Sequence, residues 1–121
     1  MCKSLFLNLK AFESSSYAMI LMSADGTGKL LSWNKAFVAL LEGKEDFNLK
    51  YIYEVLDRED WEKSQKIHLQ YLKSGLKSYN LKLNYRKVTG EFTTIVSHND
   101  ILYDVDSNQP LFCLSIMTPK Q

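Results

Sequence analysis

The sequence is sparing in cysteine, carries no block of charge of one sign and contains no long apolar run. Its two cysteines, Cys2 and Cys113, lie near opposite ends, without the spacing of a metal site or the density of a disulfide framework. A reducing, intracellular setting is the simpler reading. The 15 basic and 14 acidic residues are interspersed and leave a net charge of +1, which removes the electrostatic footprint expected for nucleic acid or an anionic membrane. In the opening MCKSLFLNLKAF, Asn8 and Lys10 interrupt the apolar residues before a secretory core can form. Nothing later approaches the run of about 18 apolar residues that a membrane helix needs. No repeat, low-complexity tract or linker divides the chain. Its 121 residues, 45% apolar and 24% charged, suit one globular core.

What is present is periodic. Leu5, Leu9 and Phe12, with Phe6 beside them, form an apolar stripe that predicts a short amphipathic helix. YAMILM (17–22) is a continuous apolar run ending at Ser23 and Asp25-Gly26, as in a buried strand. DGTGK then reverses the chain into LLSW (30–33). Asn34 is suited to cap a helix, because its side chain can accept from the unpaired N–H groups of the first turn. KAFVALLE can therefore begin at once, and Gly43 is expected to stop it in a left-handed conformation.

Residues 45–56 suggest one or two short helical turns with Phe47, Ile52, Val55 and Leu56 inward. Residues 57–75 carry acids in the first turn, lysine in the last and a closing glycine, which predicts the longest helix. LKLNYR, FTTIVSHNDILY and LFCLSIM read as three further strands separated by turns. Helix, two strands, helices and three strands, without βαβ alternation, predict an α+β fold with helices packed on one face of an antiparallel sheet.

Five stretches, FESSSYAMILMSADG, WNKAF, YIYEVLDREDW, TGEF and DSNQPLFCLSI, follow one another in the order and spacing of PAS domains. From Phe12 to Met117 the chain resembles that family of sensor and interaction modules. The resemblance implies a five-stranded antiparallel sheet in the order 2-1-5-4-3, a flanking helix over 1–13, a single domain over 14–118 and a tail over 119–121. It further implies a non-catalytic, cytoplasmic sensory module of a bacterial signalling protein. Such a module binds a small ligand or a partner and passes a conformational signal to an output such as a histidine kinase, a diguanylate cyclase or a transcription regulator. Two departures stand out: SIMTPKQ replaces the Asp-Ile-Thr stretch of many relatives, and the Asp25–Lys29 turn is slightly long.

The pocket implied by the resemblance is lined by Phe37, Leu41, Phe47, Ile52, Leu56, Ser64, His68, Leu83, Tyr85, Ile95, Ser97, Asn99 and Leu114. Helical spacing places Trp61, Ser64, His68, Tyr71 and Leu72 on one face of the long helix, so Ser64 and His68 point toward the sheet where relatives carry aliphatic residues. Three readings of His68 stay open: a hydrogen-bonded core histidine, a member of a polar pocket, or an axial haem ligand, although the family's haem histidine matches Ser64 better. No Asn-Cys-Arg-Phe-Leu-Gln segment is present, which argues against covalent flavin photochemistry and leaves non-covalent flavin open. Cys113 reads as a small buried residue. Strand alternation turns Ile95, Ser97 and Asn99 inward and His98 outward.

Competing classes are weaker. GTGK (26–29) lacks Walker spacing and leads into a strand, and Asp57, Glu59 and Asp60 occupy a helix start, where negative charge is favourable. No nucleophile, base and orienting group assemble into an enzyme site. A homodimerisation module, pairing through residues 1–13 and the sheet, is the remaining alternative.

Overall fold

The computed structural model describes residues 10–119. Residues 10–14 are helical; the rest of the expected flanking helix, with Leu5, Phe6 and Leu9, lies outside the described residues. After it come β1 (Ala18–Ser23), β2 (Leu30–Trp33), α1 (Lys35–Leu40), a 3-10 turn (Ile52–Val55), α2 (Arg58–Ser74), β3 (Ser78–Arg86), β4 (Phe92–Tyr103) and β5 (Pro110–Pro119). The strands form one antiparallel sheet in the order β2-β1-β5-β4-β3, as expected from the resemblance.

Local chemistry accounts for the element boundaries. The Asn34 side chain accepts from Phe37 N–H and so starts α1 directly after β2. Asp57 caps α2 by accepting from Asp60 N–H, and Gly75, at φ 70°, ends it. The stop of α1 differs from expectation: Glu42, at φ 57°, takes the left-handed position, and the Gly43 N–H bonds back to the Val38 carbonyl at 2.8 Å. Glycine is needed at 43 for space, since a Cβ there would lie 2.5 Å from the Phe47 ring.

The inner face of the sheet carries the core. β3 alternates strictly, with Tyr79, Leu81, Leu83 and Tyr85 buried and their neighbours exposed. β4 turns Ile95, Ser97, Asn99 and Ile101 inward, and β5 turns Cys113, Ser115 and Met117 inward. Phe37, Leu41, Ile52 and Val55 from the helical layer close over them. Phe47 is half-buried, edge-on to Trp33 and Phe37.

One expectation fails on strand parity. Leu114 was expected to face inward, but consecutive residues face opposite sides, and the inward place belongs to Cys113, whose cross-strand partners Met22 and Ile101 also face inward. Leu114 stands half-buried on the outer face, opposite Leu21.

Candidate functional site

The α2 face formed by Trp61, Ser64, Gln65 and His68 lies over the inner sheet and encloses a cavity with room of about 30 Å³. That is space for about two water-sized bodies. Met22, Ile52, Leu56 and Leu81 supply its apolar wall, and Tyr79, Tyr85, Asn99, Cys113 and Ser115 its polar side. Among the described residues no Asp, Glu, Lys or Arg borders it.

His68 is 6% exposed and both ring nitrogens are engaged. Nε2 lies 2.7 Å from the Ala24 carbonyl, an acceptor, so it carries the proton and donates. With that one proton on the ring, Nδ1 accepts from the Tyr79 hydroxyl, also at 2.7 Å. That hydroxyl is left to accept from the Cys113 thiol, 3.8 Å away. Burial pushes the Cys113 thiol up to about 11, which keeps its proton in place as a donor. Burial also raises Tyr79, with the neighbouring Cys113 adding to it. The result is one hydrogen-bonded chain that ties the β1–β2 turn to α2, β3 and β5.

A second network fills the deep end. Asn99 Nδ2 donates to Ser97 Oγ at 3.0 Å and to the Tyr79 carbonyl at 3.3 Å, while its Oδ1 accepts from the Ser115 hydroxyl. Tyr85 is 3% exposed, and its phenol is raised by burial first and by the Asp60 carboxylate second. The β1–β2 turn closes over the helix: Gln65 Nε2 donates to the Gly26 carbonyl at 2.8 Å. Gly28, at φ 77°, lies so close to Trp61 that a Cβ would sit 2.7 Å from its ring.

Six of the expected pocket residues, Ile52, Leu56, Ser64, His68, Tyr85 and Asn99, border this cavity. Phe37, Leu41, Leu83, Ile95 and Ser97 are buried elsewhere in the core, Phe47 packs over α1, and Leu114 faces away. The sequence reading missed Tyr79, the partner of His68, although extending the alternation of Leu81 and Leu83 back by two residues would have reached it. Gln65 and the Gly26–Gly28 turn carry no periodic signal.

Haem does not fit here. A ligand role for His68 would take one ring nitrogen out of its hydrogen bond, and the cavity is far below the several hundred Å³ that such a ring needs. The same size argument applies to flavin. Among the described residues no cluster of three or more His, Cys, Asp and Glu forms a metal site.

No family model matches the sequence, and no curated protein matches it. Solved structures do. A PAS domain from Colwellia psychrerythraea superposes with a TM-score of 0.79 at 16% identity, over 98% of each chain. The chain has the PAS fold. A PAS domain from a two-component sensor histidine kinase gives a TM-score of 0.65 at 17% identity, over 98% of this chain and 100% of that one. The PAS-B domain of Drosophila melanogaster Cycle, solved with bound ethylene glycol, gives 0.70 at 11% identity, over 85% of this chain and 99% of that one. In this PAS fold no helix among the described residues is long and apolar enough to cross a membrane.

Proposed function

We propose that the chain is a non-catalytic PAS sensory module, the cytoplasmic input of a bacterial signalling protein. A small molecule in the cavity shifts the sheet, and the shift is read by an output region. The observation that carries this reading is the chain Ala24–His68–Tyr79–Cys113 along the cavity wall. An occupant that repositions His68 or Tyr79 must alter the β1–β2 turn and two strands together, because each buried polar group holds its neighbour in place. The sensor-kinase neighbour and the ethylene glycol held by Cycle PAS-B support this use of the fold.

The test is a thermal-shift screen of uncharged metabolites followed by backbone NMR on the hits. Stabilisation with amide shifts at Gly26, Gly28 and Tyr79 is expected. A screen without a cavity hit would reject ligand sensing.

A second reading, homodimerisation, draws on the outer sheet face. Leu31 and Val96 are 45% and 38% exposed there, with Leu21, Leu114 and Ile116 half-buried between them. Light scattering on the intact chain and on one lacking residues 1–9 decides it; a monomeric mass for the intact chain removes it.

A further inference from the structure

We infer that the cavity selects a small uncharged molecule that offers a hydrogen-bond acceptor to the Tyr85 hydroxyl. The inference rests on the sensory reading above and names the chemical class of its ligand.

Tyr85 borders the cavity and is 97% buried, yet none of the hydrogen bonds among the described residues involves its hydroxyl. The other polar groups of the deep wall are engaged: Tyr79 with His68, Asn99 with Ser97, and Ser115 with Asn99. The hydroxyl faces the cavity without a partner among the described residues, so a guest bringing an acceptor gains a hydrogen bond at this atom. Burial and the nearby Asp60 carboxylate keep the phenol protonated, so it has a proton to donate to such a guest.

Charge is selected against by the lining. An ion entering would give up its hydration and, among the described residues, meet no Asp, Glu, Lys or Arg side chain at the wall. Size is limited as well: the room of about 30 Å³ takes roughly two to four non-hydrogen atoms. Met22, Ile52, Leu56 and Leu81 favour an apolar remainder. Short carbonyl compounds, amides and alcohols meet all three conditions.

The experiment uses three probes of one shape and four non-hydrogen atoms: acetone, its acceptor-free isostere isobutene, and its charged isostere acetate. Each is titrated by NMR into the intact ¹⁵N-labelled chain and into the variants Tyr85→Phe and Tyr103→Phe. Tyr103 is the control, because its hydroxyl is buried without a partner among the described residues but does not border the cavity.

Acetone is expected to bind about fivefold tighter than isobutene, with saturable shifts around the cavity, and acetate to give none. Tyr85→Phe should abolish the difference between acetone and isobutene, and Tyr103→Phe should keep it. Should Tyr85→Phe fail to fold, the acetone and isobutene pair on the unaltered chain still decides. Equal affinities for that pair, or binding of acetate at the same residues, overturn the inference. A cavity hit in the metabolite screen without acetone binding overturns it alone; the absence of both overturns the sensory reading too.

Discussion

Replacing Asn34 by alanine removes four hydrogen bonds at a position that is 2% exposed. Its Oδ1 accepts from Met19 N–H and Phe37 N–H, each at 3.0 Å, and its Nδ2 donates to the Phe12 and Tyr17 carbonyls at 2.9 and 2.8 Å. One side chain thus starts α1, holds β1 and fixes the segment before it. Phe37 N–H keeps its bond to the Asn34 backbone carbonyl at 3.2 Å, and losing the four side-chain bonds costs about 1 kcal/mol each, or about 4 kcal/mol together.

For a chain of 121 residues the unfolding entropy near the midpoint is about 0.25 kcal/mol per kelvin, so the expected fall in Tm is about 16 °C. Urea and thermal unfolding followed by circular dichroism measure it. A loss below about 1 kcal/mol with an unchanged denaturant slope would refute the argument, because it would mean that the four groups find water or other partners. Asn34→Asp supplies a check on sign. It keeps the acceptor but sets a charge against two carbonyls, so its stability should rise as pH is lowered and the carboxylate takes up a proton.

Tyr79→Phe leaves His68 Nδ1 without its donor and should cost about 1–3 kcal/mol in chemical denaturation; a neutral result would mean that His68 is held by Ala24 alone. Gly28→Ala forces an L-residue to φ 77° and drives a Cβ into Trp61, so a loss of about 1–3 kcal/mol with altered tryptophan emission is expected. Unchanged emission and stability would show that the turn can move aside. The Cys113 thiol, held up to about 11 from an ordinary 9, binds its proton more tightly in the folded state. Its contribution is fully present below about 9 and is lost as pH rises through about 11. At pH 8 iodoacetamide should spare Cys113 in the native protein and modify it in urea; peptide mapping that finds it alkylated at a free-thiol rate under native conditions contradicts this assignment.

Most of the fold was legible because short-range signals agree with one another. The Asn34 cap, the acids at the start of α2 and Gly75 at its end are local chemistry, and the alternation over 81–85 and 95–99 gives both strand and inward face. Residues whose place depends on several strands at once were less legible. Leu114 is apolar and Cys113 is small, so hydrophobicity alone assigns the wrong one inward; the register against Met22 and Ile101 decides it. Glu42 carries the left-handed turn because Gly43 is needed for the approach of Phe47, a contact that spacing does not report. The pocket was drawn too wide for a similar reason. Tyr79, Trp61 and Tyr85 fill volume that a list of inward residues leaves empty.

The central pairing of β1 with β5 has a mechanical consequence. Ala18 stands opposite Met117, so the chain enters and leaves the sheet side by side at one end of an antiparallel ladder. Tension pulling those two points apart falls on the terminal hydrogen bonds first and opens the ladder one rung at a time, instead of loading every rung in shear. The fold therefore yields softly to force applied through its flanking segments.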